Sequence, residues 1–198
     1  MVLIRRAGRR AADVGAEAPA DGLDRYLDFI RTARQTMMEP PPDYHYTCFE
    51  DFVLRAGVRF ESQPLTAEDR KIVKTACRVW KTAAYGDCYM NAQRLVHLFE
   101  RDDVRYAEGY AQGAAFMPVL HGWVVLPSGA IYDPTWKPED HGGSDPSCGL
   151  LGVLPNGWAY RGVIFSHEEV TAHMEATQMW ATMIDNWQGG FPLLKEER

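Results

Sequence analysis

The spacing of apolar residues along the chain predicts five helices. From Asp21 onwards, apolar side chains recur every three or four positions, and the three prolines at 40–42 end that pattern. Three further helices are each preceded by a Thr or Ser with an acidic residue three positions later, which is typical of a capping box. The predicted helices are 21–37, 47–57, 66–80, 88–99 and 166–184.

Four shorter segments, rich in β-branched and aromatic residues, predict strands at 104–111, 120–126, 130–133 and 158–165. Helices come first, then strands, and then a helix. We therefore expect an α+β fold in which a mostly antiparallel sheet packs against helices. A single domain is predicted over 21–198. Residues 1–20, rich in Arg, Ala and Gly, are expected to form a mobile N-terminal arm.

Composition argues against several classes of protein. The 198-residue chain has a net charge of −6 and no basic stripe interleaved with aromatic residues, so no nucleic-acid partner is expected. Its apolar runs are short, which argues against a membrane span and against a secretory signal. No CxxC pair occurs, so free thiols in a reducing cytoplasm are expected rather than disulfides. The four cysteines are Cys48, Cys77, Cys88 and Cys148.

Cys88 has a local sequence that suits a nucleophile. Gly86 allows a close approach of the backbone to a substrate, and Asp87 is a favourable residue to precede a helix. Cys88 then falls in the first helical turn, where free N–H groups and the helix dipole favour the thiolate and can stabilise an oxyanion. The alternative is a small, buried, apolar cysteine, which is the commoner fate of this residue type. We expect that fate for the other three cysteines.

A predicted hairpin places His121 and Asp133 on the same face of the sheet. The Pro-Ser-Gly sequence at 127–129 suits a three-residue loop, in which Val125 lies opposite Ile131 and His121 lies diagonal to Asp133. The carboxylate is then expected to hold the Nδ1–H of the imidazole, which leaves Nε2 free to take a proton from a thiol. A strand-end histidine beside a surface aspartate is the alternative.

Together, three stretches resemble the core of the transglutaminase-like and papain-like cysteine enzymes. They are GDCYMNA at 86–92, LHGWVVL at 120–126 and YDPTW at 132–136. In that family a cysteine begins a helix, a histidine lies on a later strand and an aspartate lies on the next strand. The resemblance implies a papain/transglutaminase-like core, here with an N-terminal helical extension. It also implies a triad in which Cys88 is the nucleophile, His121 the general base and acid, and Asp133 the orienting carboxylate.

The resemblance further implies a hydrolase or acyltransferase that needs no cofactor. Its thiol would attack an amide of a protein, a peptide or a small molecule and form a thioester, which either water or an amine would then resolve. The triad alone does not choose between these two outcomes, and the oligomeric state is left open. Trp80, Tyr85 and Trp136 are candidates for a second oxyanion donor or for a wall of the substrate cleft.

Three alternative functions differ in chemistry. An acyl-CoA-dependent enzyme of the arylamine N-acetyltransferase type uses the same kind of triad, and a non-catalytic protein-binding module can share the fold. A metal protein is the third, because His45 with Cys48, and His141 with Asp145 and Cys148, have ligand-like spacings. Neither set makes a standard zinc pattern, and no metal is expected.

Overall fold

The structure, a computed structural model, describes residues 19–79, 86–113, 117–136 and 148–198, and it has an α+β fold as predicted. The helices are α1 (Pro19–Met37), α2 (Phe49–Ala56), α3 (Ala67–Val79), α4 (Cys88–Phe99), α5 (His167–Thr177) and α6 (Pro192–Lys195). The strands are β1 (Val58–Phe60), β2 (Arg105–Gln112), β3 (Val119–Val125), β4 (Ile131–Asp133), β5 (Leu150–Leu151) and β6 (Ala159–Phe165). The expected mobile arm at 1–20 lies outside the described residues as far as residue 18, so it stays a prediction.

The six strands form one sheet in the order β1-β6-β2-β3-β4-β5, and all neighbouring strands in it are antiparallel. The prediction of an antiparallel sheet packed against helices is therefore confirmed. The sequence does not predict β1, β5 or α6, because segments of two to four residues are too short to show a periodic pattern.

Both faces of the sheet are buried. The helices cover one face, where Tyr106 and Val124 of the sheet pack with Leu95 of α4. The opposite face carries a second apolar cluster that includes Trp123 and Tyr160. Because successive side chains of a strand point to opposite faces, β2, β3, β4 and β6 each contribute to both clusters. Helix α1 extends the helical layer at the N-terminal end and lies against α2 and β6.

The hairpin between β3 and β4 has the predicted register. Val125 lies opposite Ile131 in the ladder, and the Leu126 N–H donates to the carbonyl of Ala130 at 2.9 Å. Gly129 has a φ of +90°, the left-handed conformation that a three-residue loop of this type requires. Local turn chemistry thus fixes the faces of the sheet on which the residues of both strands lie.

Two of the three predicted capping boxes are present, at Thr66 and Ser166. The third is wrong, because Cys48 rather than Thr47 precedes the first helical residue, Phe49, and the Thr47 N–H donates to Asp51 at 2.9 Å. These differences move helix starts by no more than a residue or two.

The last long helix ends earlier than predicted. The pattern favours a helix to residue 184, whereas α5 ends at Thr177. The buried carboxylate of Glu108 accepts hydrogen bonds from the N–H groups of Met183 and Ile184, at 2.8 and 3.1 Å, and from the Thr182 hydroxyl. Helical geometry would direct these two N–H groups to carbonyls one turn back, so a tertiary partner overrides the local pattern.

The expectation that all four cysteines are free thiols is wrong. Cys77 and Cys148 form a disulfide between the end of α3 and the residues that precede β5, with their Cα atoms 5.4 Å apart. The two residues are separated by 71 positions, so their spacing gave no sign of the pairing. Cys48 and Cys88 are free and buried.

None of the helices in the described parts of the chain combines the length and the apolar character that crossing a membrane requires.

Candidate active site

Cys88 is the first residue of α4, as predicted. Asp87 occupies the capping position but makes no side-chain capping hydrogen bond. The N–H groups of the first turn have no partner within the helix, so they and the helix dipole stabilise negative charge at this end. Cys88 is 8% exposed, and α4 packs on β3, the strand that carries His121. The thiol thus lies at the start of a helix, beside the strand that carries His121.

His121 and Asp133 are in direct contact. The Nε2 atom of His121 lies 2.7 Å from Oδ2 of Asp133, and both side chains are buried, with exposed fractions of 3% and 0%. The expected pairing is confirmed, but the expected ring nitrogen is wrong, because Nε2 rather than Nδ1 faces the carboxylate. The register of the hairpin sets the distance between the two side chains. It does not set the torsion angle that decides which ring nitrogen faces the carboxylate. Nδ1 is therefore the ring nitrogen that is available to exchange a proton with a thiol.

Asp133 is held by three further donors. Its Oδ1 accepts from the N–H groups of Thr135 and Trp136, at 2.9 and 3.1 Å. Its Oδ2 also accepts from the hydroxyl of Tyr160, at 2.8 Å. The carboxylate is therefore fixed in direction as well as in position, and so is the imidazole that it holds. Tyr160 reaches the site from β6, and no local sequence pattern predicts this contact.

The charge of His121 is set by its neighbours. Burial alone would lower the pKa of this imidazole, but the charge and hydrogen bond of Asp133 outweigh it. Hydrogen bonding to Cys88 and the charge of Cys88 act in the same direction, and together they raise the pKa of His121 to about 10. His121 therefore carries a positive charge at neutral pH.

An aromatic shell surrounds the imidazole. The ring of Trp136 stacks on His121, with centroids 4.5 Å apart and an angle of 25° between the planes. Trp158 and Tyr160 pack against Trp136, at 5.0 and 5.9 Å between centroids. Trp136 is a predicted candidate for the substrate wall, and it forms one side of the pocket that holds His121. The other two candidates, Trp80 and Tyr85, lie outside the described residues.

A hydrogen bond ties the cysteine helix to the aspartate loop. The side-chain amide of Asn91, one turn after Cys88, donates to the hydroxyl of Thr135 at 3.0 Å. The Thr135 N–H in turn donates to Asp133 at 2.9 Å. Asn91 is fully buried, and the sequence analysis assigned it no role. It connects the two elements whose relative position sets the distance between the thiol and the imidazole.

The proposed metal ligands do not assemble in the described parts of the chain. His45 has Arg55 as its neighbour, at 2.9 Å, and no set of three His, Cys, Asp or Glu side chains among the described residues is arranged to hold a metal ion. His141 and Asp145 lie outside the described residues.

Comparisons of this chain with protein-family models, with curated proteins and with solved structures find no match.

Proposed function

We propose that this chain is a cysteine-nucleophile enzyme of the transglutaminase-like kind, which cleaves or transfers the acyl group of an amide through a thioester. The observation that carries the proposal is the buried array of Cys88, His121 and Asp133. It combines a thiol at a helix start, a positively charged imidazole and a carboxylate held by four donors. A helix that begins with the cysteine and packs on an antiparallel sheet also supports a papain-like core.

The proposed first half-reaction starts from a thiolate at Cys88 and an imidazolium at His121. The Cys88 thiolate attacks the amide carbonyl carbon, a C–S bond forms, and the carbonyl electrons move to the oxygen as an oxyanion. The free N–H of Cys88 donates to that oxyanion. The C–N bond then breaks, and the imidazolium of His121 gives its proton to the departing amine. A thioester on Cys88 and a neutral imidazole remain.

The second half-reaction restores the starting state. Neutral His121 takes a proton from water or from a second amine, which attacks the thioester carbonyl. The C–S bond breaks, and a carboxylic acid or a new amide leaves while the thiolate and the imidazolium are regenerated. Asp133 keeps the ring in one orientation and stabilises its charge throughout. Peptide, isopeptide and glutamine side-chain amides all fit this chemistry.

The test is to trap the acyl-enzyme. The protein is incubated with a library of peptides and small amides, quenched in acid, and analysed by mass spectrometry after digestion. We expect an acyl adduct on Cys88 in the wild type and none in Cys88→Ala. Iodoacetamide at neutral pH gives an independent readout of the same thiol, and it should label Cys88 faster in the wild type than in His121→Gln.

Cys48 is an internal control, because it is the other free cysteine in the described parts of the chain. Burial and the charge of Glu50 raise the pKa of the Cys48 thiol, and they outweigh the hydrogen bonds that act in the opposite direction. Cys48 should therefore react more slowly than Cys88. Faster labelling of Cys48, with Cys88 inert at neutral pH, would contradict the proposal.

A further inference from the structure

A groove of about 590 Å³ runs along α3, outside the candidate triad. One face of α3 lines it with residues at the helical spacing 70, 73, 74, 77 and 78, which includes one end of the Cys77–Cys148 disulfide. The remaining lining comes from the chain before α3 and around β5, and it includes Cys148, the other end of the disulfide. The aliphatic side chains of the whole groove are Pro64, Leu65, Val73, Leu151 and Val153. We call this site the α3 groove.

Three cations line the α3 groove in a row, namely Arg70, Lys74 and Arg78. All three are exposed, and a guanidinium N–H of Arg70 donates to the carbonyl of Leu65 at 2.6 Å, which holds it at the rim. Residues four apart on a helix lie about 6 Å apart along its axis. The row therefore presents three positive charges at nearly even intervals beside an apolar floor.

The charges of this row are not neutralised within the described parts of the chain. No Asp or Glu is among the described residues that line the α3 groove, and none of the three cations has a carboxylate partner among them. Lys71, on another face of the same helix, pairs with Glu68 at 3.7 Å. Arg101 is also paired, with Glu68 and Asp103. In a chain with a net charge of −6, a row of cations that have no carboxylate partner among the described residues favours an acidic ligand.

The lining also indicates the class of that ligand. Sites for single-stranded nucleic acid use aromatic side chains on which bases stack, and the described lining of the α3 groove has no aromatic side chain. Aliphatic side chains beside exposed cations suit a peptide that has apolar as well as acidic side chains. In an extended peptide, alternate residues lie about 6.7 Å apart on one side, close to the spacing of the cations. The residues between them point to the other side.

We propose that the α3 groove binds an extended acidic peptide segment in which Asp or Glu alternates with aliphatic residues. The acidic side chains pair with Arg70, Lys74 and Arg78, and the aliphatic side chains pack on the floor that includes Leu151 and Val153. This inference goes beyond the proposed function and does not depend on it, because it concerns binding at a site separate from Cys88.

The test measures binding directly, with the full chain carrying Cys88→Ala so that no turnover intervenes. A fluorescently labelled peptide of three glutamates alternating with valines is titrated and followed by anisotropy. We expect saturable binding that weakens as salt is added. Lys74→Ala combined with Arg78→Ala should raise the Kd about fivefold, as expected for the loss of two exposed ion pairs.

Lys71→Ala is the matched control, because it removes a cation from the same helix outside the groove. It should leave the Kd unchanged, and thermal unfolding of each variant checks that the fold is retained. Peptides with glutamine in place of glutamate, or serine in place of valine, should bind more weakly. The proposal is wrong if the peptide does not bind, if Lys71→Ala weakens binding as much as the double variant, or if a single-stranded oligonucleotide displaces the peptide.

Discussion

Glu108 and Asp133 are two fully buried carboxylates on opposite faces of one sheet, with nearly the same set of donors. Each accepts from a tyrosine hydroxyl, Tyr106 at 2.7 Å for Glu108 and Tyr160 at 2.8 Å for Asp133. Each also accepts from two backbone N–H groups of a loop that follows a strand or helix. Burial and hydrogen-bond number therefore do not distinguish a structural carboxylate from one for which a chemical role is proposed.

The two carboxylates differ in their fourth partner. Glu108 accepts from the hydroxyl of Thr182, which is neutral, whereas Asp133 contacts the imidazole of His121, which can gain a proton. Burial raises the pKa of Glu108 even though its hydrogen bonds act against that rise. Asp133, by contrast, raises the pKa of the neighbouring His121, so the imidazole carries a positive charge. We infer that Glu108 holds the C-terminal segment, and that Asp133 holds a group that can take part in a reaction.

The largest effect is expected from Asp133→Asn. The amide keeps the size of the side chain but removes the charge opposite His121, so the imidazolium loses its main stabilisation. The equivalent change in a serine-protease triad costs about 10⁴ in turnover, and we expect about 10³ here because a thiol depends less than a serine hydroxyl on a base for its activation. Turnover of a substrate found by acyl-enzyme trapping measures this.

Glu108→Gln is the matched control for that variant, because it makes the same chemical change at the other carboxylate. Turnover per folded molecule should remain within a few-fold of the wild type. Equal losses in Asp133→Asn and Glu108→Gln would show that the two sites do not differ in the way proposed.

Glu108→Ala should lower stability more than activity. Truncation leaves the N–H groups of Met183 and Ile184 without their acceptor in a buried position, and we expect a loss of about 2–4 kcal/mol in the free energy of unfolding. Urea unfolding measures the loss. Leu98→Ala, at an exposed position of α4, should change stability by far less. A stable Glu108→Ala protein would mean that the C-terminal segment is held by other contacts.

A smaller effect is expected from pH. The folded-state pKa of His121 is raised from an ordinary value of 6.5 to about 10, so protonation of this residue favours the folded state. That contribution is fully present below pH 6.5 and is lost as pH rises through about 10. The free energy of unfolding should fall over this range more steeply in the wild type than in His121→Gln. Parallel pH profiles would contradict the raised pKa.

The smallest effect is expected from removing the hydroxyl group of Tyr160 or of Tyr106. Tyr160→Phe and Tyr106→Phe each remove one buried hydroxyl donor, at a cost of about 1–2 kcal/mol in stability. Only Tyr160→Phe should also reduce turnover and lower the pKa of His121, because it loosens Asp133. Nuclear magnetic resonance titration of the His121 ring measures the shift. The same shift in both variants would remove the distinction between the sites.

The sequence could predict those parts of the site that depend on local rules. The loop at 127–129 sets the register of the hairpin, and the register brings His121 to Asp133. The start of α4 at Cys88 follows from the residues around it. These features require only turn chemistry, strand alternation and helix-start preferences, all of which act over a few residues.

Contacts between distant residues could not be predicted in this way. Tyr160 reaches Asp133 from 27 positions away, and Glu108 ends the helical pattern 75 positions further on by binding Met183. The disulfide joins residues 71 positions apart. The ring nitrogen of His121 that faces Asp133 could not be predicted either, because strand register does not determine a side-chain torsion angle.

The Cys77–Cys148 bond closes a covalent ring of the main chain that contains Cys88, His121 and Asp133. Such a closure removes conformations from the unfolded chain, and for a ring of this length the effect is about 4 kcal/mol. While the bond is intact, one cut by a protease inside the ring opens it without releasing a fragment. The three elements that carry the triad would then remain parts of a single molecule, able to find one another again without an encounter between separate pieces.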